Sequence, residues 1–192
     1  MMLKSYFQNK IHEAGCDEVG RGSIAGPVVA AAVILPKGYK NDDIKDSKMI
    51  SPKKRRLLDL EIKKNALAWS IGLVNNKQID KINILNSSIL AIHKAIKKLK
   101  IRPNFIIIDG NQFKPFKDIP YKCIIKGDNK FLSIAAASII AKNYRDKLMT
   151  NLSKKYKMYS WETNYGYPTL KHKKGIQTNG ITKYHRKSFK LI

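Results

Sequence analysis

The sequence predicts an α/β fold in which a mixed β-sheet is flanked by helices. Short apolar segments of strand length alternate along the chain with segments whose apolar residues recur at helical spacing. The first two apolar segments, residues 11–19 and 27–35, are close enough in sequence to pair as a hairpin, which makes the sheet mixed. The 192 residues are enough for one domain with a hydrophobic core, so we expect a single domain over residues 1–192.

Five segments are predicted as strands. The first ends at two adjacent carboxylates, Asp17 and Glu18, and the second is a Val/Ala/Ile run typical of a strand buried on both faces. The fourth is stopped by Asp109-Gly110, and the fifth ends shortly before Asp128. The predicted strands are residues 11–19, 27–35, 66–74, 105–108 and 121–125.

Helices are predicted between these strands. Ser51 and Pro52 form a helix start, with serine at the capping position and proline at the first helical position. A later segment has apolar residues at helical spacing, and a long third helix carries small side chains that allow close packing on a sheet. From about residue 156 the chain is rich in aromatic and basic residues, which we interpret as an extension with short helices. The predicted helices are residues 53–64, 86–100 and about 129–149.

The chain is strongly cationic. It carries 38 Lys and Arg against 14 Asp and Glu, a formal net charge of +24. This charge favours anionic partners, and nucleic acid is the first candidate because phosphate neutralisation supplies most non-specific affinity. A compositional bias towards Lys, Ile and Asn explains the charge equally well, so charge alone leaves the partner open.

The sequence shows no signal for export or membrane insertion and no cysteine motif. The N-terminus has no apolar segment typical of a signal peptide, and no apolar run approaches the roughly 20 residues needed to span a bilayer. The two cysteines, Cys16 and Cys123, form neither a disulfide framework nor a zinc motif. We therefore expect a cytoplasmic protein without membrane contact, and a monomer by default.

Four acidic residues lie at the ends of predicted elements: Asp17, Glu18, Asp109 and Asp128. Each has an ordinary explanation taken singly, because Asp-Gly is a common turn and an aspartate often caps a helix. Together they indicate a metal site, because strand ends of an α/β sheet converge on one edge where ligands bind. Mg²⁺ prefers such hard oxygen ligands, and two ions about 3.5–4 Å apart assist phosphodiester hydrolysis.

The adjacency of Asp17 and Glu18 poses a geometric problem. Neighbouring side chains on a strand point to opposite faces, so both reach one site only if the backbone bends or one acts through its carbonyl or water. Gly20 and Gly22, which follow directly, permit such a bend. The sequence leaves open how the two carboxylates divide the metal.

Several motifs in order resemble bacterial ribonuclease HII, the type 2 ribonuclease H family. The resemblance spans about residues 12–190 and is specific as a combination, although each short piece alone is not. Its segments are Gly-Cys-Asp-Glu-Val-Gly-Arg-Gly at 15–22, Asp-Ser-Lys at 46–48, Ile-Asp-Gly-Asn at 108–111, Lys-Gly-Asp at 126–128, the Ser-Ile-Ala-Ala-Ala-Ser run with Lys142, and His-Arg-Lys-Ser-Phe at 185–189.

The resemblance implies a ribonuclease H-like mixed β-sheet flanked by helices, with a small helical C-terminal part. It implies a two-metal endonuclease using Mg²⁺ or Mn²⁺, with the four carboxylates as catalytic metal ligands. The implied substrates are RNA–DNA hybrids and duplex DNA containing single ribonucleotides, cut on the 5′ side of the ribonucleotide. The products would carry 3′-hydroxyl and 5′-phosphate ends.

The resemblance also implies residues that bind the substrate. The backbone of Gly20, Arg21 and Gly22 would contact the ribose 2′-hydroxyl, which distinguishes RNA from DNA. Tyr167 would read the same hydroxyl, with plain aromatic packing as its alternative. Lys48 and Arg186 are expected phosphate contacts, or otherwise solvated surface residues.

The chain departs from the family pattern in the loop before Tyr167. Tyr165 stands where relatives usually have Lys, Trp161 where Phe is commoner, and Ser160 where Gly is commoner. Two alternatives remain at this point: a type 3 ribonuclease H, which lacks arginine in the Gly-x-Gly turn, and a non-catalytic nucleic-acid binding module.

Overall fold

The computed structural model describes residues 3–8, 12–44, 47 and 50–192. Its centre is a five-stranded mixed sheet in the order β3-β2-β1-β4-β5. Strands β1, β2 and β3 pair antiparallel, whereas β4 runs parallel to β1, and β5 parallel to β4. The strands are β1 Glu13–Val19, β2 Val28–Ile34, β3 Ala68–Val74, β4 Phe105–Asp109 and β5 Tyr121–Ile124. The α/β fold with a mixed sheet, predicted from the sequence, is confirmed.

Helices cover both faces of this sheet. Helix α4 packs on β1 and β2 from one side, and α3 packs on β2 and β3 from the other. The alanines of α4 at 135–137 are fully buried in the first layer, as their small size predicted. The helices are α1 Pro52–Asn65, α2 Asn76–Ile82, α3 Ile84–Lys98, α4 Leu132–Ser153, α5 Trp161–Asn164 and α6 Leu170–Asn179.

Helix α4 lies unusually close to the central strand. A Cβ on Gly15 would stand 2.3 Å from the carbonyl carbon of Ser133, so only glycine permits this approach. The contact brings the start of α4 beside the end of β1 that carries Asp17. The position of Gly15 therefore contributes directly to the geometry of the sheet edge.

Two local details differ from the sequence prediction. Helix α2 was not predicted; Asn75 caps it by accepting a hydrogen bond from the Gln78 N–H. The long helix α4 begins at Leu132 and not near 129, because Gly127–Asn129 form a separate 3-10 turn. Asp128 thus lies outside α4, whose N-cap position is Phe131.

The C-terminal part contains the short helices that were expected. Trp161 and Tyr159 are buried there, and their rings stack with centroids 5.1 Å apart. This aromatic cluster packs against Met149 of α4 and so joins the extension to the sheet layers. Among the described helices, none is both long and apolar enough to cross a membrane.

Candidate active site

Three aspartates meet at one edge of the sheet. Strands β1 and β4 are parallel neighbours with Cys16 opposite Ile108, so Asp17 and Asp109 follow at adjacent positions on the same edge. Asp128 approaches from the loop after β5, and carboxylate oxygens of Asp17, Asp109 and Asp128 all lie within 4.8 Å of one another. The convergence of strand ends expected from the sequence is present.

The turn that carries Asp128 is fixed by Asp109. The Gly127 N–H donates to Asp109 Oδ1 at 2.7 Å, and Lys126 takes a left-handed conformation with φ of 54° to enter the turn. A Cβ on Gly127 would stand 2.6 Å from Ile134 Cδ1, so a larger residue here would have to displace the end of that side chain. The hydrogen bond holds the Asp109 carboxylate and the Asp128 loop in one arrangement.

Glu18 occupies a different position from the three aspartates. Cys16, two residues earlier, packs into the core layer beneath α3, and Glu18 lines a small pocket that Ser88 of α3 and Asp109 also line. Asp17 lies on the opposite, α4-facing side, as alternation along a strand requires. Glu18 also pairs with Arg21, with Nη1 3.1 Å from Oε1. Asp109 therefore stands between the aspartate cluster and Glu18.

Mutual repulsion and burial dominate the electrostatics of these carboxylates. Loss of solvent raises the pKa of Asp17 well above its usual value, and the charges of Glu18 and Asp109 add to this effect. Burial also raises the pKa of Glu18, although the nearby Arg21 guanidinium opposes this. Several hard oxygen donors that repel one another fit a divalent cation such as Mg²⁺ or Mn²⁺, whose charge would relieve the repulsion.

The Gly20-Arg21-Gly22 turn follows β1 beside these carboxylates. Gly20 has φ of +90°, a conformation that favours glycine. Arg21 and Gly22 are exposed, and among the described residues their main-chain N–H groups have no hydrogen-bond partner. Tyr167 borders this turn: its Cε1 atom lies 3.8 Å from the position of a Cβ on Gly22. The structure thus brings together two motifs that are distant in the sequence.

The two expected phosphate contacts have different outcomes. Lys48 lies outside the described residues, as do Asp46 and Met49. Arg186 is fully buried, and its guanidinium donates to three main-chain carbonyls, those of Gly20, Arg21 and Gly26. This burial disagrees with a direct phosphate contact, because no part of its guanidinium reaches the surface.

Three further residues near the turn have buried hydrogen-bonding roles that the sequence did not predict. Arg145 of α4 is fully buried and donates to the carbonyls of Ala25, Pro27 and Tyr165. His172 and His185 are buried beside Tyr167 and in contact with each other. His185 lies in the His-Arg-Lys-Ser-Phe segment at 185–189, but no local pattern predicts the hydrogen-bond roles of these residues, since those roles depend on contacts with distant parts of the chain.

The mixed sheet with carboxylates at the ends of β1 and β4 defines an enzyme of the ribonuclease H class. Within this class the chain belongs to the ribonuclease HII family, because the family model for ribonuclease HII matches residues 14–192. It is 54% identical to ribonuclease HII of Parabacteroides distasonis over 191 residues, which cover 100% of this chain and 96% of that one.

Solved structures agree with this assignment. The crystal structure of ribonuclease H2 from Pyrococcus horikoshii OT3 is similar with a TM-score of 0.78 and 26% identity, covering 93% of this chain and 94% of that one. The ribonuclease HII in a PCNA complex from Archaeoglobus fulgidus has a TM-score of 0.75 and 25% identity, covering 91% and 92%. The ribonuclease H-like fold is thereby confirmed.

The family match also bears on the alternatives left open by the sequence. The matching model is that of the type 2 family, so a type 3 enzyme is not favoured. A non-catalytic binding module is not favoured either, because it has no use for clustered carboxylates that would repel bound phosphate.

Proposed function

We propose that this chain is an endoribonuclease that cuts the RNA strand of RNA–DNA hybrids and cuts on the 5′ side of single ribonucleotides embedded in duplex DNA. The products carry 3′-hydroxyl and 5′-phosphate ends. The observation that carries the proposal is the position of an exposed turn with free N–H donors directly after the strand that bears Asp17. A carboxylate cluster suits phosphodiester hydrolysis, and the adjacent turn suits recognition of ribose.

Asp17, Asp109, Asp128 and Glu18 are proposed to hold divalent ions, with Asp109 placed to serve both the aspartate cluster and Glu18. When bound, Mg²⁺ or Mn²⁺ would activate water and neutralise charge on the leaving 3′-oxygen. The chain itself fixes these ligands: the Glu18 N–H donates to Asp17 Oδ1 at 2.6 Å, and Gly127 holds Asp109. No side-chain nucleophile is required.

Recognition of ribose is assigned to the turn and the ring beside it. The exposed N–H groups of Arg21 and Gly22 can donate to a 2′-hydroxyl, and the Tyr167 ring borders the same space. A deoxyribose leaves these donors unpaired, which costs free energy and so favours RNA at this position. The half-exposed Arg21 side chain, 52% accessible, remains available to a nearby phosphate.

The remaining charge positions the duplex. With a net charge of +24, the protein attracts phosphate backbones of any sequence, and Lys48 is proposed to take part. We further propose that the protein acts as a monomer in the cytoplasm, in removal of RNA primers during DNA replication and in ribonucleotide excision repair.

One cleavage assay tests this function. Duplex DNA with a single ribonucleotide is incubated with the protein and Mg²⁺ or Mn²⁺, and the product ends are mapped. We expect one cut 5′ of the ribonucleotide, none in the all-DNA duplex, and none with the Asp17→Asn variant. Cleavage restricted to long hybrids would contradict the proposed substrate, and cleavage by Asp17→Asn would contradict the site.

A further inference from the structure

Two buried guanidinium groups lie directly beneath the Gly20-Arg21-Gly22 turn. Arg145 and Arg186 are both fully buried, and neither forms an ion pair with any residue in the described part of the chain. Asp146 and Asp80 favour the charged forms of Arg145 and Arg186 only from beyond ion-pair distance, so burial of these charges remains costly, and a neutral residue would serve packing alone better. Because both buried guanidinium groups lie against one short turn, we look for a function of Arg145 and Arg186 other than packing.

Arg186 holds the peptide groups of the turn in one orientation. Its Nη2 donates to the Gly20 carbonyl at 2.6 Å and its Nη1 to the Arg21 carbonyl at 2.9 Å. Its Nε donates to the Gly26 carbonyl at 3.0 Å, so all three nitrogens of the guanidinium contact the backbone. Because the guanidinium is planar and rigid, it fixes the directions of these carbonyls relative to one another.

This orientation determines where the free donors point. The peptide bonds here are trans, and in a trans peptide the C=O of one residue and the N–H of the next point in opposite directions. The Gly20 and Arg21 carbonyls face the buried Arg186, so the N–H groups of Arg21 and Gly22 face away from it, towards the exposed side. Arg186 thus directs these two donors without touching the surface itself.

Arg145 packs beside the same turn and joins the segment that follows it to the Tyr167 loop. Its Nη1 donates to the Tyr165 carbonyl at 2.8 Å, while its Nε donates to the Pro27 carbonyl at 2.9 Å. Its guanidinium carbon lies 5.7 Å from the centre of the Tyr167 ring. A Cβ on Gly20 would stand 2.2 Å from Arg145 Nε, so this side chain also fills the space beside the turn.

A pair of histidines completes the link between Tyr167 and Arg186. His172 Nδ1 contacts the Tyr167 carbonyl at 2.9 Å, and its Nε2 lies 3.1 Å from Nε2 of His185, the residue before Arg186. The indole N–H of Trp161 donates to the same His172 Nε2 at 3.0 Å. The loop that carries Tyr167 is therefore tied to the segment that orients the turn.

We propose that Arg186 and Arg145 are positioning residues for recognition of the ribose 2′-hydroxyl: Arg186 directs the N–H donors of Arg21 and Gly22 outwards, and Arg145 sets their spacing from Tyr167. The proposal rests on the proposed function, in which these donors and this ring read the hydroxyl. It replaces the direct phosphate contact expected of Arg186 with an indirect role in specificity.

The test measures how strongly the protein prefers a duplex with one ribonucleotide over an all-DNA duplex, and it does not measure cleavage. Affinity is measured for a short DNA duplex with one central ribonucleotide and for the same duplex made only of DNA, with Ca²⁺ present to prevent cleavage. The ratio of the two dissociation constants reports the contribution of one 2′-hydroxyl. Partial unfolding changes both affinities equally and leaves this ratio unchanged, so a merely structural role would not alter it.

Arg186→Lys keeps the positive charge but loses the planar guanidinium, whose three nitrogens contact three carbonyls. We expect its discrimination ratio to fall by about fivefold or more, the scale of one hydrogen bond, while affinity for all-DNA duplex changes by less than about twofold. Ile96→Val, a buried change in α3 remote from the turn, is the control and should keep the wild-type ratio. If Arg186→Lys does not fold, Arg145→Lys is judged by the same ratio.

The outcomes separate the two proposals. A wild-type ratio near one would overturn the reading of the 2′-hydroxyl and this inference with it. A large wild-type ratio that persists in the folded arginine variant would overturn this inference alone and leave the proposed function standing.

Discussion

The ring of Tyr167 packs beside Gly22, with Cε1 3.8 Å from the position that a Cβ of residue 22 would take. The contact joins a loop before α6 to the turn after β1, next to the carboxylates that end that strand. The space above the contact is bordered by the exposed N–H of Gly22. The pair therefore defines one wall of the proposed ribose site.

Gly22→Ala should damage cleavage without damaging the fold. Gly22 does not have a positive φ, and its Cβ would meet Tyr167 at an ordinary van der Waals distance, so stability should change by less than about 0.5 kcal/mol. The added methyl group would stand where the ribose is expected, and displacement of the substrate should lower kcat/KM at a single ribonucleotide by about 100-fold. Thermal unfolding and single-ribonucleotide cleavage measure the two effects.

Gly38→Ala is the matched control for this variant. Gly38 has φ of +77° with nothing near its Cβ position, so alanine should cost about 1 kcal/mol of stability through backbone strain. Its cleavage rate should stay at the wild-type level. Equal cleavage by Gly22→Ala and wild type would show that the ribose does not approach this turn.

Tyr167→Ala should lower cleavage at a single ribonucleotide far more than it lowers stability. The ring is half-buried and borders the free donors, so its loss opens the site while most of the core remains. We expect a fall in kcat/KM of about 100-fold, because the ribose would lose its orientation. Steady-state kinetics and urea unfolding provide the measurements.

The control for Tyr167 is an exposed tyrosine elsewhere. Tyr144 on α4 is 40% exposed, and Tyr144→Ala should leave cleavage near the wild-type rate. A comparable loss in both variants, or a Tyr167→Ala protein that is unfolded, would remove the support for a specific role of the ring.

Asp17→Asn should stabilise the protein in the absence of divalent metal. The pKa of Asp17 is raised by burial and by the charges of Glu18 and Asp109, so the neutral amide relieves repulsion and should add about 1 kcal/mol to the free energy of unfolding. In the wild type, added Mn²⁺ should raise stability, by about 2.7 kcal/mol at 100 times its dissociation constant. The variant should lose most of this gain.

Thermal unfolding across a Mn²⁺ titration measures both effects. Asp118→Asn, which changes an exposed aspartate paired with Arg102, should behave as the wild type at every metal concentration. An undiminished metal response in Asp17→Asn would argue that the ion binds elsewhere.

His185 should make the fold sensitive to acid. Burial lowers its pKa to about 4, and the neighbouring His172 contributes, whereas in the unfolded chain histidine titrates near 6.5. The unfolded state therefore binds more protons between these values, so the stability is complete above about pH 6.5 and is lost as pH falls towards 4. The loss should be about 2 kcal/mol.

His185→Gln tests this dependence by urea unfolding at pH 7 and pH 4.5. The variant should be less stable at pH 7, because Thr182 loses its hydrogen-bond acceptor, but its stability should change less between the two pH values. His93→Gln, on the face of α3 near Phe113, should retain the wild-type difference. If His185→Gln loses as much stability between pH 7 and pH 4.5 as the wild type, other groups cause the acid sensitivity.

Much of the fold could be predicted from local patterns. The apolar run at 27–35 predicted a strand, which the structure has at Val28–Ile34, and Ser51-Pro52 predicted the start of α1. Both predictions succeed because burial on both faces and helix capping depend on residues that are close in sequence. Helix α2 was missed because it is short, and the start of α4 was misplaced because the 3-10 turn at 127–129 resembles a helix start.

The sequence by itself determined which residues are proposed to do the chemistry, because the four carboxylates and the Gly-Arg-Gly turn lie in short contiguous segments at the ends of predicted elements. Only the tertiary structure decided that Asp17 and Glu18 face opposite sides and that Arg186 is buried beneath the turn. The physical reason is that burial and hydrogen-bond partners depend on contacts between distant segments. The Arg186 guanidinium can donate to the carbonyls of Gly20 and Arg21 only when the sheet, α4 and the C-terminal segment have packed together.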